Sequence, residues 1–165
     1  MESDTYKHGT TLVEILVVVA VIMILAGLVT GIATSIDSYS KERAVKATFS
    51  LLDAALQEYY DFTGVTGGFR FPLADDPGRS ASENCEILYS ALSSLPVSRE
   101  VLEKISGRVI KNESNASAVP PIYEIYDPWG TVLNYRYNSG DSFPVLTSAG
   151  PDRDWSTVAD NITNR

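Results

Sequence analysis

The chain is sparing with the side chains that do most protein chemistry. It has one histidine, His8, and one cysteine, Cys85. Nucleophilic serine or cysteine needs a neighbouring base, and most transition-metal sites need imidazoles or several thiolates. His8 sits in the extreme N-terminus and no Cys–His signature surrounds Cys85, so both chemistries lack parts. Cys85 reads as a buried structural thiol, and a lone cysteine closes no intramolecular disulfide. Carboxylates are more plentiful. Asp75 and Asp76 adjoin in an Asp-Asp-Pro-Gly turn, where neighbouring acids are ordinarily solvated. Asp152, Asp154 and Asp160 crowd the C-terminal region with Asn161 and Asn164. Such a loop offers the oxygens that calcium takes, roughly 6–8 of them at ~2.3–2.6 Å, although it lacks the glycine and terminal glutamate of an EF-hand. A turn held by Asx hydrogen bonds, with Arg153 satisfying the carboxylates, is the competing reading. Glu14 stands apart, a single acid at the mouth of an apolar run. No catalytic constellation emerges, and a non-enzyme is expected.

The apolar run decides where the chain lives. Ile15 to Val29 is unbroken by any polar side chain, and through Ile36 the stretch reaches about 22 residues, enough for a helix to cross the ~30 Å hydrocarbon layer. It reads as a membrane helix over 10–36. A cleaved signal peptide, with small residues at Gly31-Ile32-Ala33, and a plain signal anchor are two readings of it. Glu2 and Asp4 beside Lys7 make a poor positive n-region for the first. Glu14 supports a third reading, because an acid within a bilayer costs ~2.5–3.5 kcal/mol at the helix centre, and less near its end.

Lys7-His8-Gly9 followed by Thr10-Thr11-Leu12-Val13-Glu14 and an apolar helix resembles the signature of type IV pilins and type II secretion pseudopilins. The resemblance implies a leader over 1–9, cleavage after Gly9 by a prepilin peptidase, and methylation of the new amino group of Thr10. It implies that Glu14 pairs with the N-terminal ammonium of a neighbouring subunit, setting assembly register; a buried carboxylate tolerates only a correctly placed cation. The family usually begins its mature chain with Phe or Met, where this one has Thr10. Lys41, Arg43 and Lys46 follow the span and only Lys7 precedes it, so basic-residue bias by itself would put the C-terminal side in the cytoplasm. The resemblance implies the opposite, and that orientation is adopted: a single pass through the bacterial inner membrane, with residues 37–165 in the periplasm, or outside the cell for a true pilus.

Beyond the span, Val45, Phe49, Leu52, Leu56 and Tyr59 recur in steps of four and three, with Lys41, Glu42, Lys46, Asp53 and Glu58 opposite. One long helix is predicted, apolar at first and amphipathic later, ending about 63 at Thr63-Gly64 and Gly67-Gly68. Ser80 and Glu83 form a capping box before Ile87, Leu88, Ala91, Leu92 and Leu95, which predicts a short helix. Ser98 is expected to cap another through Ile105. Asn112 to Pro121 reads as an exposed loop; its sequons at Asn112 and Asn115, and a third at Asn161, are taken as chance. Ile122–Tyr126, Val132–Tyr137 and Phe143–Ser148 read as three antiparallel strands around an Asp127-Pro-Trp-Gly130 turn. Their Tyr and Trp side chains are assigned to the core. The fold class is therefore α+β, pilin-like, a long N-terminal helix packed on a small antiparallel C-terminal sheet.

Asp127-Pro-Trp-Gly130 before a Tyr-rich strand, and Thr147-Ser-Ala-Gly-Pro-Asp152 leading to Ala159-Asp160, resemble the major pseudopilin of type II secretion. Pilins proper usually close this region with a disulfide, and in major pseudopilins a calcium ion holds it. What the resemblance implies here is calcium on Asp152 and Asp160, with Asp154 as a further candidate and backbone oxygens near Leu146 and Ser148. The expected function is structural, a subunit of a secretion pseudopilus. Its partners would be copies of itself in a helical filament, other pseudopilins or minor pilins, the prepilin peptidase, the inner-membrane assembly platform and the membrane. A type IV pilin or minor pilin (adhesion, motility, DNA uptake) is the alternative within the class; a membrane-anchored binding domain is the alternative outside it. A net charge of −8, from 13 basic and 21 acidic residues, disfavours nucleic acid as a partner.

Overall fold

A computed structural model describes residues 11–65, 70–72, 74, 76–114 and 116–165, without the side chains of 28–35. The helix α1 runs Leu12–Val65, and the chain divides into two units, one up to Tyr39 and one Ser40–Arg165. In the first unit, Thr11 starts the helix: its hydroxyl accepts from the Glu14 amide at 3.3 Å, and Glu14 is the acid of the first turn. Twelve large apolar side chains between Leu12 and Leu25 are exposed, among them Leu16 at 62 % and Val19, the least, at 42 %. Consecutive positions cover every face of a helix, so no one stripe carries this exposure. Among the described residues no helix is long and apolar enough to cross a membrane. Part of the 10–36 run, including Thr10 and the side chains of 28–35, lies outside the described residues, as do Gly67 and Gly68.

In the second unit α1 buries the predicted stripe. Val45, Phe49, Leu52 and Leu56 are almost fully covered, Ala55 joins them, and Tyr59 packs at the margin. The next helix, α2 (Ala81–Ser94), begins at the capping box: Ser80 N–H donates to Glu83 Oε2 at 2.8 Å while Glu83 N–H donates to Ser80 Oγ at 3.3 Å. Its Cys85, Leu88 and Leu92 face the core. Extended backbone at Leu95 separates it from α3 (Pro96–Leu102), where Pro96 takes the first turn because its missing N–H costs nothing there. Ser98 therefore does not cap this helix. It is buried inside it, and its hydroxyl donates to the Leu92 carbonyl at 2.7 Å, fixing the corner.

The strands are short and form two antiparallel sheets rather than the one three-stranded sheet expected. In one, β1 (Ile110–Lys111) pairs with β2 (Glu124–Ile125); in the other, β3 (Asn134–Arg136), β4 (Val145–Ser148) and β5 (Ile162–Thr163) lie in that order. Two predicted strands thus meet partners that periodicity could not announce, because two-residue strands are too short to alternate. The alternation expected over Ile122–Tyr126 also fails: Glu124 to Asp127 are all buried. Glu124 tolerates burial because its carboxylate accepts the Glu113 and Ser114 amides, each at 3.1 Å, tying down the start of the otherwise largely exposed 112–121 loop. Asp53, expected on the solvent side of α1, instead accepts from Asn164 Nδ2 at 2.8 Å.

Ile125, Leu133, Tyr135 and Leu146 close the core over the α1 stripe, and Tyr135 also donates its hydroxyl to the Pro72 carbonyl at 2.6 Å. Tyr126, Trp129 and Tyr137 are buried as well, in agreement with the core assignment of the aromatic residues. Leu52 has no exposed surface. Leu52→Ala is expected to destabilise the protein by about 2–5 kcal/mol in chemical denaturation of the full chain; a loss of about 0.5 kcal/mol or less, the range of surface substitutions, would show that the stripe does not hold the fold.

Candidate functional site

The N-terminal processing residues Gly9 and Thr10 lie outside the described residues. Glu14 is described, exposed in the first turn of α1 amid exposed Val13, Ile15, Leu16 and Val17. The backbone cap from Thr11 was not foreseen from the sequence, although Thr-x-x-Glu before an apolar run is its ordinary signature.

The C-terminal carboxylate region is built around a residue whose role the sequence placed only in a turn. Asp127 is 4 % exposed. One carboxylate oxygen accepts the Trp129 and Thr131 amides at 3.0 and 2.8 Å, and Gly130 completes the turn with φ +91°. The other oxygen accepts the Ser148 hydroxyl at 2.6 Å. Ser148 Oγ in turn accepts from the Gly150 amide at 3.1 Å, so one buried carboxylate links the β2–β3 turn to the loop after β4. Gly150 has φ +75°, and a Cβ there would run into the Asp160 carbonyl oxygen. A glycine is required at this point for both reasons.

Asp152 and Asp160 come together across this loop: the Asp152 amide donates to Asp160 Oδ2 at 3.3 Å. Asp160 Oδ1 is buried and has no hydrogen-bond partner. Asp152 Oδ1 accepts from the Asp154 amide at 2.8 Å. Asp154 is turned to its own local task, accepting the Ser156 amide and hydroxyl at 2.9 and 2.8 Å, and those bonds hold its carboxyl below the usual range. The Leu146 carbonyl accepts from the Asn164 amide, and Asn164 Oδ1 accepts from the Leu146 amide. Arg153 adopts φ +61° and forms no ion pair with these acids among the described residues. No cluster of three or more His, Cys, Asp or Glu side chains able to hold a metal occurs among the described residues; the loop's oxygens are two neighbouring carboxylates plus carbonyls.

A second group of titratable side chains is structural. Cys85 is fully buried; its sulfur accepts the Ile125 amide at 3.1 Å and lies 3.7 Å from the Ile125 carbonyl. Desolvation pushes its thiol up to about 12, which removes thiolate chemistry at neutral pH and agrees with the structural reading. Burial likewise pushes Tyr126 up to about 12. Asp76 Oδ1 accepts the Gly78 amide at 2.9 Å, an Asx turn; its neighbour Asp75 is outside the described residues.

No protein-family model, curated protein or solved structure matches the chain.

Glu86 contributes to the pH dependence of stability. Desolvation, then its hydrogen bond to Glu124, raises its carboxyl above the ordinary 4.5. The folded state thus holds a proton that the unfolded state releases, and stability falls as pH rises from about 4.5 through the folded value. Glu86→Gln is expected to flatten that fall and raise the melting temperature at neutral pH; an unchanged slope in melting temperature against pH would refute the assignment.

Proposed function

We propose that this chain is a filament subunit of the type IV pilin class, anchored by its N-terminal helix and displaying residues 40–165 outside the cytoplasm. Within that class the reading is a structural subunit of a type II secretion pseudopilus. The observation that carries it is Glu14 in the first turn of a helix whose next dozen positions are apolar and exposed. Burying a Val, Leu, Ile or Met side chain stabilises by about 1.5–3 kcal/mol, so the twelve exposed between Leu12 and Leu25 far outweigh the ~2.5–3.5 kcal/mol of one acid in lipid. The helix is therefore driven into an apolar environment despite Glu14. A bundle of identical helices supplies that environment together with a cation for the acid, the ammonium of a neighbouring Thr10. The Lys7-His8-Gly9-Thr10 sequence supports a prepilin peptidase as the processing partner and a membrane platform as the site of assembly.

Glu14→Val tests the register role. The cap at Thr11 uses the backbone amide of residue 14, so the variant keeps it. The variant is expected to insert and be processed normally while filaments disappear from electron micrographs of overexpressing cells. Normal filament number and length would contradict the pairing.

Calcium belongs to the same reading. Asp160 Oδ1, buried without a partner, is an oxygen whose desolvation is uncompensated, and a cation would compensate it. Asp152 and Asp160 are the carboxylates that would hold the ion, with loop carbonyls near Leu146 and Ser148; Asp154 is a further candidate through Oδ2, since both Ser156 bonds fall on its Oδ1. A bound ion would supply the cross-link that a disulfide cannot. Calcium at a hundred times its Kd should stabilise the full chain by about 2.7 kcal/mol, read as a rise in melting temperature over chelator. Asp152→Ala with Asp160→Ala should abolish that rise, and equal melting temperatures of the unaltered protein in calcium and chelator would exclude the ion.

A further inference from the structure

A groove of about 660 Å³ lies between the start of α2, the outer face of β3 and β4, and the C-terminal loop. Unpaired polar atoms lie in the groove and in the hollow beside it. Asn84 is 4 % exposed, and its Nδ2 donates to Asn134 Oδ1 at 3.2 Å, yet its own Oδ1 has no partner. A buried amide oxygen left bare costs about 1–3 kcal/mol. Asn84, Asn134 and Arg136 border a smaller hollow of about 130 Å³, and Asn134 and Arg136 border the groove as well. Asn161 Oδ1, on the loop side of the groove, is likewise buried and bare. The half-buried Trp155 ring completes the lining, and Arg136 has no ion pair among the described residues.

We propose that this groove binds a neutral saccharide. The bare Asn161 oxygen in the groove, and that of Asn84 in the adjoining hollow, call for proton donors, while the Asn134 amide and the exposed Arg136 guanidinium offer donors of their own. Reversing both asparagine amides leaves the same count of one donor and one acceptor. A hydroxyl group is both at once, and a sugar presents several in a row beside an apolar ring face that can lie on an indole. An anion satisfies Arg136 but offers few or no protons for Asn84 or Asn161 and no apolar face for the indole, and a chain of net charge −8 repels it. The groove's size also falls within the ~300–1,000 Å³ typical of small-ligand sites. The site is independent of the filament reading, since none of its residues takes part in the Glu14 pairing or carries a carboxylate assigned to calcium.

The test uses the full chain in a detergent without a sugar headgroup, titrated with maltotriose, cellotriose and chitotriose by saturation-transfer NMR and tryptophan fluorescence. At least one trisaccharide should bind saturably, and Trp155→Ala and Arg136→Gln should each weaken it about tenfold or more. Arg136 is exposed, so its variant keeps the fold even if the Trp155 variant does not. Trp155→Phe separates the signal of this ring from that of buried Trp129. Absence of binding at tens of millimolar overturns the proposal, as does binding unaffected by Arg136→Gln. Binding of inorganic phosphate in place of the sugars, lost in Arg136→Gln, overturns it in favour of an anion site.

Discussion

The fold of residues 40–165 depends on one face of one helix. A helix in water draws little stability from its own hydrogen bonds and needs an apolar stripe to bury. Here the stripe from Val45 to Leu56 lies in one buried apolar cluster with Leu88 and Leu92 of α2 and Ile125, Leu133, Tyr135 and Leu146 of the strand region. The sheets themselves are too short to be stable alone, with two to four residues per strand. They exist because the stripe gives their inner residues somewhere to go. Asp53, one step off that face, is drawn into the same arrangement by Asn164, which ties the C-terminal strand to the helix while also pairing with Leu146.

Polar links do the work that longer ladders would otherwise do. Asp127 joins the turn before β3 to Ser148 and Gly150, Glu124 holds the start of the 112–121 loop, and Cys85 bonds α2 to β2. A neutral bond such as that to the Cys85 sulfur contributes about 0.5–1.5 kcal/mol net and one to a carboxylate about 1.5–3 kcal/mol, and losing one buried partner costs more. The C-terminal loop is thereby fixed at its entry by Asp127 and at its exit by Asn164. Between those points the Asp160 oxygen remains without a partner, the observation on which the calcium proposal rests.

The parts legible in the sequence were those with local or periodic signals. The α1 stripe, the Ser80–Glu83 capping box, the Asp127–Gly130 turn and the buried state of Cys85 each follow from spacing or composition, and the structure has them. Ser98 misled because a hydroxyl before a helix looks the same as one inside it; Pro96 was the better marker. The strand partners of Ile110–Lys111 and Ile162–Thr163 were invisible, since a two-residue strand has no period and is set only by tertiary packing. Among the candidate site residues, Asp152 and Asp160 lie together, while Asp154 gives one carboxylate oxygen to Ser156, a pairing that sequence spacing does not encode. The bare oxygens of Asn84 and Asn161 could not be foreseen either, because satisfaction of a polar group is a property of the packed state.

The central proposal, a helix processed and assembled as in a pilin-class filament, is tested most directly at its first residue. Intact mass and N-terminal sequence of the protein recovered from its host's membranes would settle it. The account predicts a chain beginning at Thr10 with a methylated amino group. A chain beginning at Met1, or beyond Ala33, would contradict it and leave an anchored or secreted domain in its place.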